Sequence, residues 1–279
     1  MIIGVLHPGM MGAAVGAQLV AGGHRVSWCP VGRSERTAAR AEEAGLHAAG
    51  SLAELVAGSD VVFSICPPAN ASDVAEQVAT AGFAGLFVEA NAINPARMAS
   101  IATRLRRGGA TVVDGSIIGP PPAAGHTARV YLSGPAAAVA TVTGLLAGSA
   151  AEPKAVDERI GSASALKMAY GSFQKASRAL AAVSHALADD FGVTSHLEAE
   201  ANRLGGNALA RRADFAEVAA RAWRWAPEMD EVAESLRGAG LPPTLATGAA
   251  NVFRRWDADK DAAGLDVHTA LRHLRLTGD

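Results

Sequence analysis

The first 157 residues alternate between short runs of β-branched and aromatic residues and stretches with helical spacing, and this alternation constrains the fold more than any other feature. The runs are IIGVL (2–6), HRVSWC (24–29), DVVFSIC (60–66), GLFVEA (85–90), TVVDGSI (111–117) and RVYLSG (129–134). Helices are expected over 10–21, 33–44, 70–81 and 95–107. Continuous apolar strands separated by helices of about a dozen residues read as a parallel sheet covered on both faces. Gly-Gly pairs at 22–23 and 108–109 and prolines at 67–68 and 120–122 punctuate the units.

Beyond residue 158 the pattern changes. From Gly161 to Phe191 there is no proline, Gly171 is the one internal glycine, and Leu166, Ala169, Phe173, Ala176, Leu180, Val183 and Leu187 recur at helical spacing. This predicts one helix of roughly 28 residues, ~40 Å long. The rest, to Leu274, shows helical patterns broken by Gly-Gly, Pro227 and Pro242-Pro243. The expected organisation is an α/β domain over 1–157, then an all-α domain over 158–279 that begins with the long helix.

Composition narrows the function classes. Hydrophobic residues make up 49% and charged residues 19%, as in a globular chain, and the formal charge is −2. No basic stripe points to nucleic acid, and no basic amphipathic segment points to a membrane surface. No signal peptide is recognisable, and no run of about 18 apolar residues could form a spanning helix, so a cytoplasmic protein is expected. Cys29 and Cys66 have neither metal-ligand nor redox spacing. DADKDAAGLDVH (257–268) superficially resembles a calcium loop, but it has Ala262 and His268 where such a loop needs glycine and glutamate. No metal site is expected.

The first strand runs into HPGMMG, a variant of the dinucleotide fingerprint G-x-G-x-x-G. Gly9 and Gly12 keep the second and third glycines, which let the backbone approach a pyrophosphate and the helix pack close to the strand. A helix starting at Met10 aims its unpaired N–H groups, Met11 included, at the phosphates. At the first-glycine position stands His7, followed by Pro8. Pro8 fixes its own φ and is expected to push His7 toward an extended conformation. His7 is then a turn residue beside the cofactor, or it also touches the ligand. Past the second strand, SWCPVGRSER has no acid to bind a ribose 2′-hydroxyl; Arg33 and Ser34, with Arg36, suit a 2′-phosphate instead, which points to NADP(H).

The strand-HPGMMG-helix start, GRSER (32–36), ICPP (65–68), EANAINP (89–95), VDGSIIGPPP (113–122) and GSASALKMAYGSFQK (161–175) occur in the order seen in the β-hydroxyacid dehydrogenases. This superfamily includes 3-hydroxyisobutyrate dehydrogenase, 6-phosphogluconate dehydrogenase and the imine reductases. The chain most resembles a 6-phosphogluconate-dehydrogenase-like branch, which carries a pattern like RAWRWAPEMDEVAESLRGAGLPP (221–243). The resemblance spans essentially the whole chain. It implies an NADP-binding Rossmann domain, a long interdomain helix, and a homodimer whose helical domains interlock. It places a catalytic lysine near the start of the long helix, at Lys167, six residues after Gly161. Cys66, Pro67 and Asn91 are expected to line the cofactor, and Asp114 and Ile118 to lie in the substrate-binding segment.

Two departures matter. Tyr170 and Gly171 stand where the family has asparagine three or four residues after the lysine, and IIGPPP replaces the family's Ser-Gly-Gly segment. Both remove groups that hold a small carboxylate and hydroxyl, which puts a short 3-hydroxy acid in question as substrate.

Hydride transfer leaves charge on the acceptor heteroatom, and a positioned acid supplies the balancing proton. Lys167 is the candidate, with Tyr170 as accessory donor; a solvated helix-face lysine and a buried tyrosine bonding a neighbour are the plain alternatives. Lys167, Tyr170, Gly171 and Gln174 share one helix face, and Gly171 leaves a gap there. Lys175 and His185 read as ordinary helix residues. Trp223 and Trp225 diverge on their helix, so one of them is a candidate for lining a cleft with Arg224 holding a carboxylate; packing and dimer contacts are the alternative. The sequence therefore points to an NADPH-dependent oxidoreductase, its nicotinamide reaching past Pro67 and Asn91 toward Lys167. The alternatives are an imine reductase and a non-catalytic NADPH-binding sensor.

Overall fold

The computed structural model describes residues 1–204 and 206–275; Gly205, half of the Gly-Gly break, lies outside the described residues. The first part of the chain runs β1 (Ile2–Leu6), α1 (Met10–Ala21), β2 (Arg25–Trp28), α2 (Glu35–Glu43), β3 (His47–Ala48), α3 (Leu52–Ala57), β4 (Val61–Ser64), α4 (Ala71–Thr80), β5 (Leu86–Glu89), α5 (Pro95–Arg107), β6 (Thr111–Ile118), β7 (Ala128–Ser133), α6 (Ala136–Leu146) and β8 (Ala151–Ala155). The strands form one eight-stranded sheet in the order β3-β2-β1-β4-β5-β6-β7-β8. The chain works outward from β1 in one direction and then from β4 in the other, so the strand order reverses between these two neighbours. In open α/β sheets, ligands bind outside the carboxyl ends of the strands at such a switch point.

The sheet is parallel except between β6 and β7, whose register runs antiparallel from Asp114↔Ser133 to Ile118↔Arg129. The expectation of a purely parallel sheet is corrected there. No helix intervenes between the two strands, so the chain turns straight back, and adjacent strands joined by such a short loop must be antiparallel. Both faces of the sheet are covered. Ile3, Val5, Val61, Phe63 and Val88 pack on one side with Val15 and Leu19 of α1 and Val142 and Leu146 of α6. Leu6, Val62, Phe87 and Val112 pack on the other with Val74 and Val78 of α4 and Met98, Ile101 and Leu105 of α5. Burial on both faces is why these strands read as unbroken apolar runs.

The second part consists of α7 (Ser162–Asp190), α8 (Thr194–Leu204), α9 (Phe215–Gly238), α10 (Thr244–Arg254) and α11 (Val267–Arg272). The chain divides into two compact units, Met1–Lys167 and Met168–Asp279. This division falls inside α7, later than the change of pattern at 157/158, because the first turn of α7 is bonded to the sheet.

Helix α7 has 29 residues. Its buried side is built from small residues, Ala179, Ala182 and Ala186, together with Lys175 and His185. The large apolar residues that reveal the helix in the sequence lie on its outer side: Phe173 is 79% exposed, Leu180 67% and Leu187 60%. The core of the second unit is aromatic, with Phe215, Phe253 and Trp256 fully buried. The Trp256 indole donates to Ala270 O at 2.7 Å, giving its one polar atom a partner. Among the described residues no helix is long and apolar enough to cross a membrane.

Candidate functional site

The site is built from the turns that leave the carboxyl ends of β1, β2, β4, β5 and β6. At the first of these, His7 adopts φ 63, the left-handed region, where the expectation was an extended backbone. The reason is geometric. Strand β1 must reverse sharply to feed α1, and Gly9 N donates to His7 O at 2.7 Å, closing a three-residue turn with Pro8 at its centre. His7 thus takes the conformation that the missing glycine would have taken, at a cost of ~1–2 kcal/mol for an L-residue.

The two retained glycines have different reasons to be glycine. A Cβ on Gly12 would sit 2.6 Å from His7 O and 3.6 Å from Ile65 O, so helix and strand could not approach as they do. A Cβ on Gly9 would meet nothing within 4 Å. The protein's own packing therefore does not require glycine at position 9, and the space above it is open to a ligand. Gly9 is the N-cap of α1 and offers no side-chain cap, and the first turn of α1 holds no acidic residue. A helix start left this way attracts an anion. Met10 is partly exposed at the turn, whereas the Met11 side chain packs against the core, leaving only its backbone for a phosphate.

A cleft of about 210 Å³ adjoins this turn, lined by Leu6, His7, Cys29, Val31, Arg33 and Leu52 among others. Burial, reinforced by the Arg33 guanidinium, pushes the His7 imidazole down to about 4, so it is neutral at physiological pH. Ser34 is the N-cap of α2; its hydroxyl accepts from Thr37 N at 3.3 Å and lies 3.1 Å from the Thr37 hydroxyl. Two hydroxyls and Arg33 therefore gather at one helix start.

The loop after β4 is held by a buried network. Asn91 Oδ1 accepts from Cys66 N at 2.5 Å, while its Nδ2 donates to Ser64 Oγ at 3.0 Å and to Glu89 Oε1. The Asn91 side chain is thus fully engaged. Expected to line the cofactor, it holds the Cys66 backbone in place. Burial pushes the Cys66 thiol up to about 12, which excludes a thiolate, and pushes Glu89 up to about 8. Glu89 Oε2 is buried without a hydrogen-bond partner. Pro67 is exposed at the rim of the loop, where Arg97 Nη1 donates to Pro68 O at 3.2 Å.

The third segment joins β6 to α7. Asp114, expected among the substrate-binding residues, is fully buried and saturated by protein donors. Its Oδ2 accepts from Ser133 Oγ (3.0 Å), Gly161 N (2.9 Å) and Ser164 N (3.0 Å), and its Oδ1 from Ser164 Oγ (2.7 Å). Ile118, expected beside it in the same role, is a buried strand residue at 5% exposure. Lys167 reaches back to β6 and donates from Nζ to Ile117 O at 2.7 Å.

The remaining candidates lie in the second unit. Tyr170 is 45% exposed and Gly171 is buried. The Gln174 carbonyl accepts from Arg178 Nη1 at 3.0 Å. The Arg224 guanidinium and the Lys260 ammonium lie 4.9 and 4.3 Å from the centre of the Trp223 ring, and the indole N–H donates to Asp261 at 3.4 Å. Trp223 and Arg224 thereby contact Lys260 and Asp261 in the segment that follows α10. Trp225 packs edge-on against Phe253 at 5.5 Å. Lys175 and His185, read as ordinary helix residues, are buried: Lys175 is ion-paired with Glu228, and His185 Nε2 lies 2.7 Å from Leu209 O. A lysine spaced with the small residues of an alanine-rich face was the available sequence signal. Ser133 and Ser164, which complete the Asp114 network, carried none.

Residues 2–161 match the family described as NAD binding domain of 6-phosphogluconate dehydrogenase, and residues 188–256 match a domain of unknown function (DUF1932). No match was found among curated proteins. Among solved structures, the chain is similar to a 3-hydroxyisobutyrate dehydrogenase from Mycobacterium tuberculosis with L-serine, at 20% identity, TM-score 0.74 and 99% coverage of both chains. A conserved hypothetical protein from Sinorhizobium meliloti is 23% identical, with TM-score 0.69 over 98% of this chain and 95% of that one. An imine reductase from Streptomyces aurantiacus is 19% identical, with TM-score 0.54 over 99% of this chain and 100% of that one.

Proposed function

The chain belongs to the β-hydroxyacid dehydrogenase superfamily of nicotinamide-dependent oxidoreductases, and from that membership we propose that it reduces a small carbonyl-type substrate with NADPH, Lys167 supplying the proton. The observation that carries the reading is the presence, in one compact unit, of an open phosphate cradle at Gly9 and a lysine whose ammonium is bonded to the end of strand β6.

The residues present fit the cofactor. The β1–α1 turn and the start of α1 would hold its pyrophosphate, and Arg33 with the Ser34 and Thr37 hydroxyls would hold a 2′-phosphate by charge-assisted bonds. Bound NADPH supplies the hydride. The protein's own task is to keep the proton source in place: Ile117 O accepts one of the ammonium protons of Lys167 and so sets the direction in which the amine points. Donation from a positioned ammonium to the acceptor heteroatom contributes roughly 10²–10⁴-fold in rate.

The outer stripe of α7, with Phe173, Leu180 and Leu187 exposed, supports a homodimer with this face at its interface. A second reading, reduction of a C=N bond, is favoured by Gly171, which offers no side chain where a carboxylate-holding asparagine is expected. The test is NADPH oxidation with glyoxylate, succinic semialdehyde, benzaldehyde and 2-methyl-1-pyrroline. Turnover of an aldehyde or keto acid supports the first reading, turnover of the pyrroline alone supports the second, and unchanged turnover in Lys167→Ala removes the proton-donor assignment.

A further inference from the structure

We infer that Asp114 is the positioning residue for Lys167: from strand β6 its carboxylate fixes the first turn of α7 and thereby the place where the lysine presents its ammonium. The inference rests on the reading of Lys167 as proton donor.

A helix start normally carries its own cap, a Ser, Thr, Asn or Asp whose oxygen takes the N–H two or three residues on. Position 161, just before α7, is instead a glycine with φ 102, a backbone closed to other residues and lacking a capping oxygen. Asp114 supplies the cap from 47 residues away. Its Oδ2 takes the N–H of Gly161 and the N–H of Ser164, the two donors that a capping box satisfies with two separate side chains. The Ser164 hydroxyl binds the other oxygen, and Ser133, itself donating to Asp114, accepts the intervening Ala163 N–H at 3.1 Å.

Asp114 and Ser133 are both 0% exposed, so water does not compete for these bonds. A carboxylate at a helix N-terminus is also favoured by the helix dipole. One turn further on, Lys167 donates to Ile117 O, a carbonyl of the same strand. Strand β6 therefore grips α7 at its base through Asp114 and at its working side chain through Ile117. Because β6 is bonded to β5 on one side and β7 on the other, it is an interior strand and a firm reference for both grips.

A merely structural cap would set how stable the helix start is without setting where Lys167 points, and the two are separable. The chain contains four lysines, Lys154, Lys167, Lys175 and Lys260. In protein labelled with [ε-13C]lysine and loaded with NADPH, each gives its own side-chain signal, assigned by Lys→Arg substitution. Asp114→Asn keeps the shape but has one acceptor oxygen in place of two, so its NH2 group must face either the backbone N–H groups or the Ser164 hydroxyl and the four bonds to the carboxylate cannot all be kept. The expected result is that the Lys167 signal moves toward that of exposed Lys154, the Lys260 signal stays in place, and kcat for the panel compound reduced by wild type falls ~10–100-fold with NADPH affinity within about twofold.

A Lys167 signal unmoved in Asp114→Asn, with only a lower melting temperature, would overturn the inference. Should that variant not fold, Ser133→Ala, which leaves the carboxylate in place, takes over the test: it is expected to move the same signal by a smaller amount, and an unmoved signal counts against the inference. Wild-type turnover in Lys167→Ala would instead remove the proton-donor reading, leaving the signal shift to decide the positioning claim separately.

Discussion

The carbonyl oxygen of His7 stands 2.6 Å from the place where a Cβ on Gly12 would lie. Two backbones thus meet where the phosphate-binding turn closes, and neither has a flexible side chain with which to yield. Gly12→Ala is expected to cost ~1–3 kcal/mol of stability and to weaken NADPH binding at least tenfold by pushing α1 away from β1. Gly9→Ala, with open space around it, should leave stability unchanged while still reducing NADPH affinity. Calorimetric titration beside urea unfolding separates the two, and equal losses in both variants would refute the distinction.

His7 joins a left-handed backbone to a buried, neutral ring. Its folded value of about 4 lies below the ordinary 6.5. Between these values the unfolded chain binds a proton that the folded chain does not, so stability rises with pH across this window and is lost as pH falls through it. His7→Gly, which suits φ 63, is expected to flatten the dependence between pH 4 and 6.5 and to retain NADPH binding. His7→Val, β-branched in the left-handed region, should lose ~1–2 kcal/mol at pH 7.5. Urea midpoints at pH 4, 6.5 and 7.5 check both statements.

Glu89 has the opposite sign. Its folded value of about 8 lies above the ordinary 4.5 because burial penalises the charge. Between those values the folded chain holds a proton that the unfolded chain has lost, and stability falls as pH rises, by up to ~1.4 kcal/mol per pH unit. Glu89→Gln keeps an acceptor for Asn91 and cannot ionise. It is expected to match wild type at pH 5 and to be the more stable protein at pH 8. Melting temperatures across that range that run parallel for the two proteins would contradict this.

Lys175 and Glu228 form an ion pair with side chains 7% and 18% exposed. Lys175→Met leaves the Glu228 charge without its partner and is expected to cost ~3–5 kcal/mol, whereas Lys175→Met with Glu228→Leu should recover most of that loss. Denaturant unfolding of the single and double variants measures the difference, and an additive double variant would argue against coupling.

Phe173 and Leu180 are 79% and 67% exposed on α7. Light scattering is expected to give a dimer for wild type and a monomer for Phe173→Glu with Leu180→Glu, with helical content unchanged. A wild-type monomer at tens of micromolar would count against the proposed interface.

The alternating units were legible because each strand is buried on both faces and so reads as a run of Val, Ile and Phe. The strands that escaped notice lack such runs. His47–Ala48 is two exposed residues, and Ala151–Ala155 contains a proline and a lysine at the sheet edge. Helix α6, AAAVATVTGLL, is apolar almost all round and shows no face. In α7 the large apolar residues revealed the helix but not which side is buried, because within one chain the inner face is alanine. At the site, Gly9, Gly12 and Lys167 were readable as types at a spacing. The role of Asp114 was not, because its partners Ser133, Gly161 and Ser164 lie 19 to 50 residues away along the chain.

The remote cap on α7 also ties the helix start to the pairing of two strands. A helix start leaves its first N–H groups without intrahelical partners, and here the oxygens that take them sit on two paired strands. The pairing of Asp114 with Ser133 across β6 and β7 presents both acceptors together. The helix start thus depends on the register of two interior strands. A chain whose β6–β7 register has slipped by one residue offers α7 no anchor, so Lys167 reaches its place only on a sheet that has closed correctly.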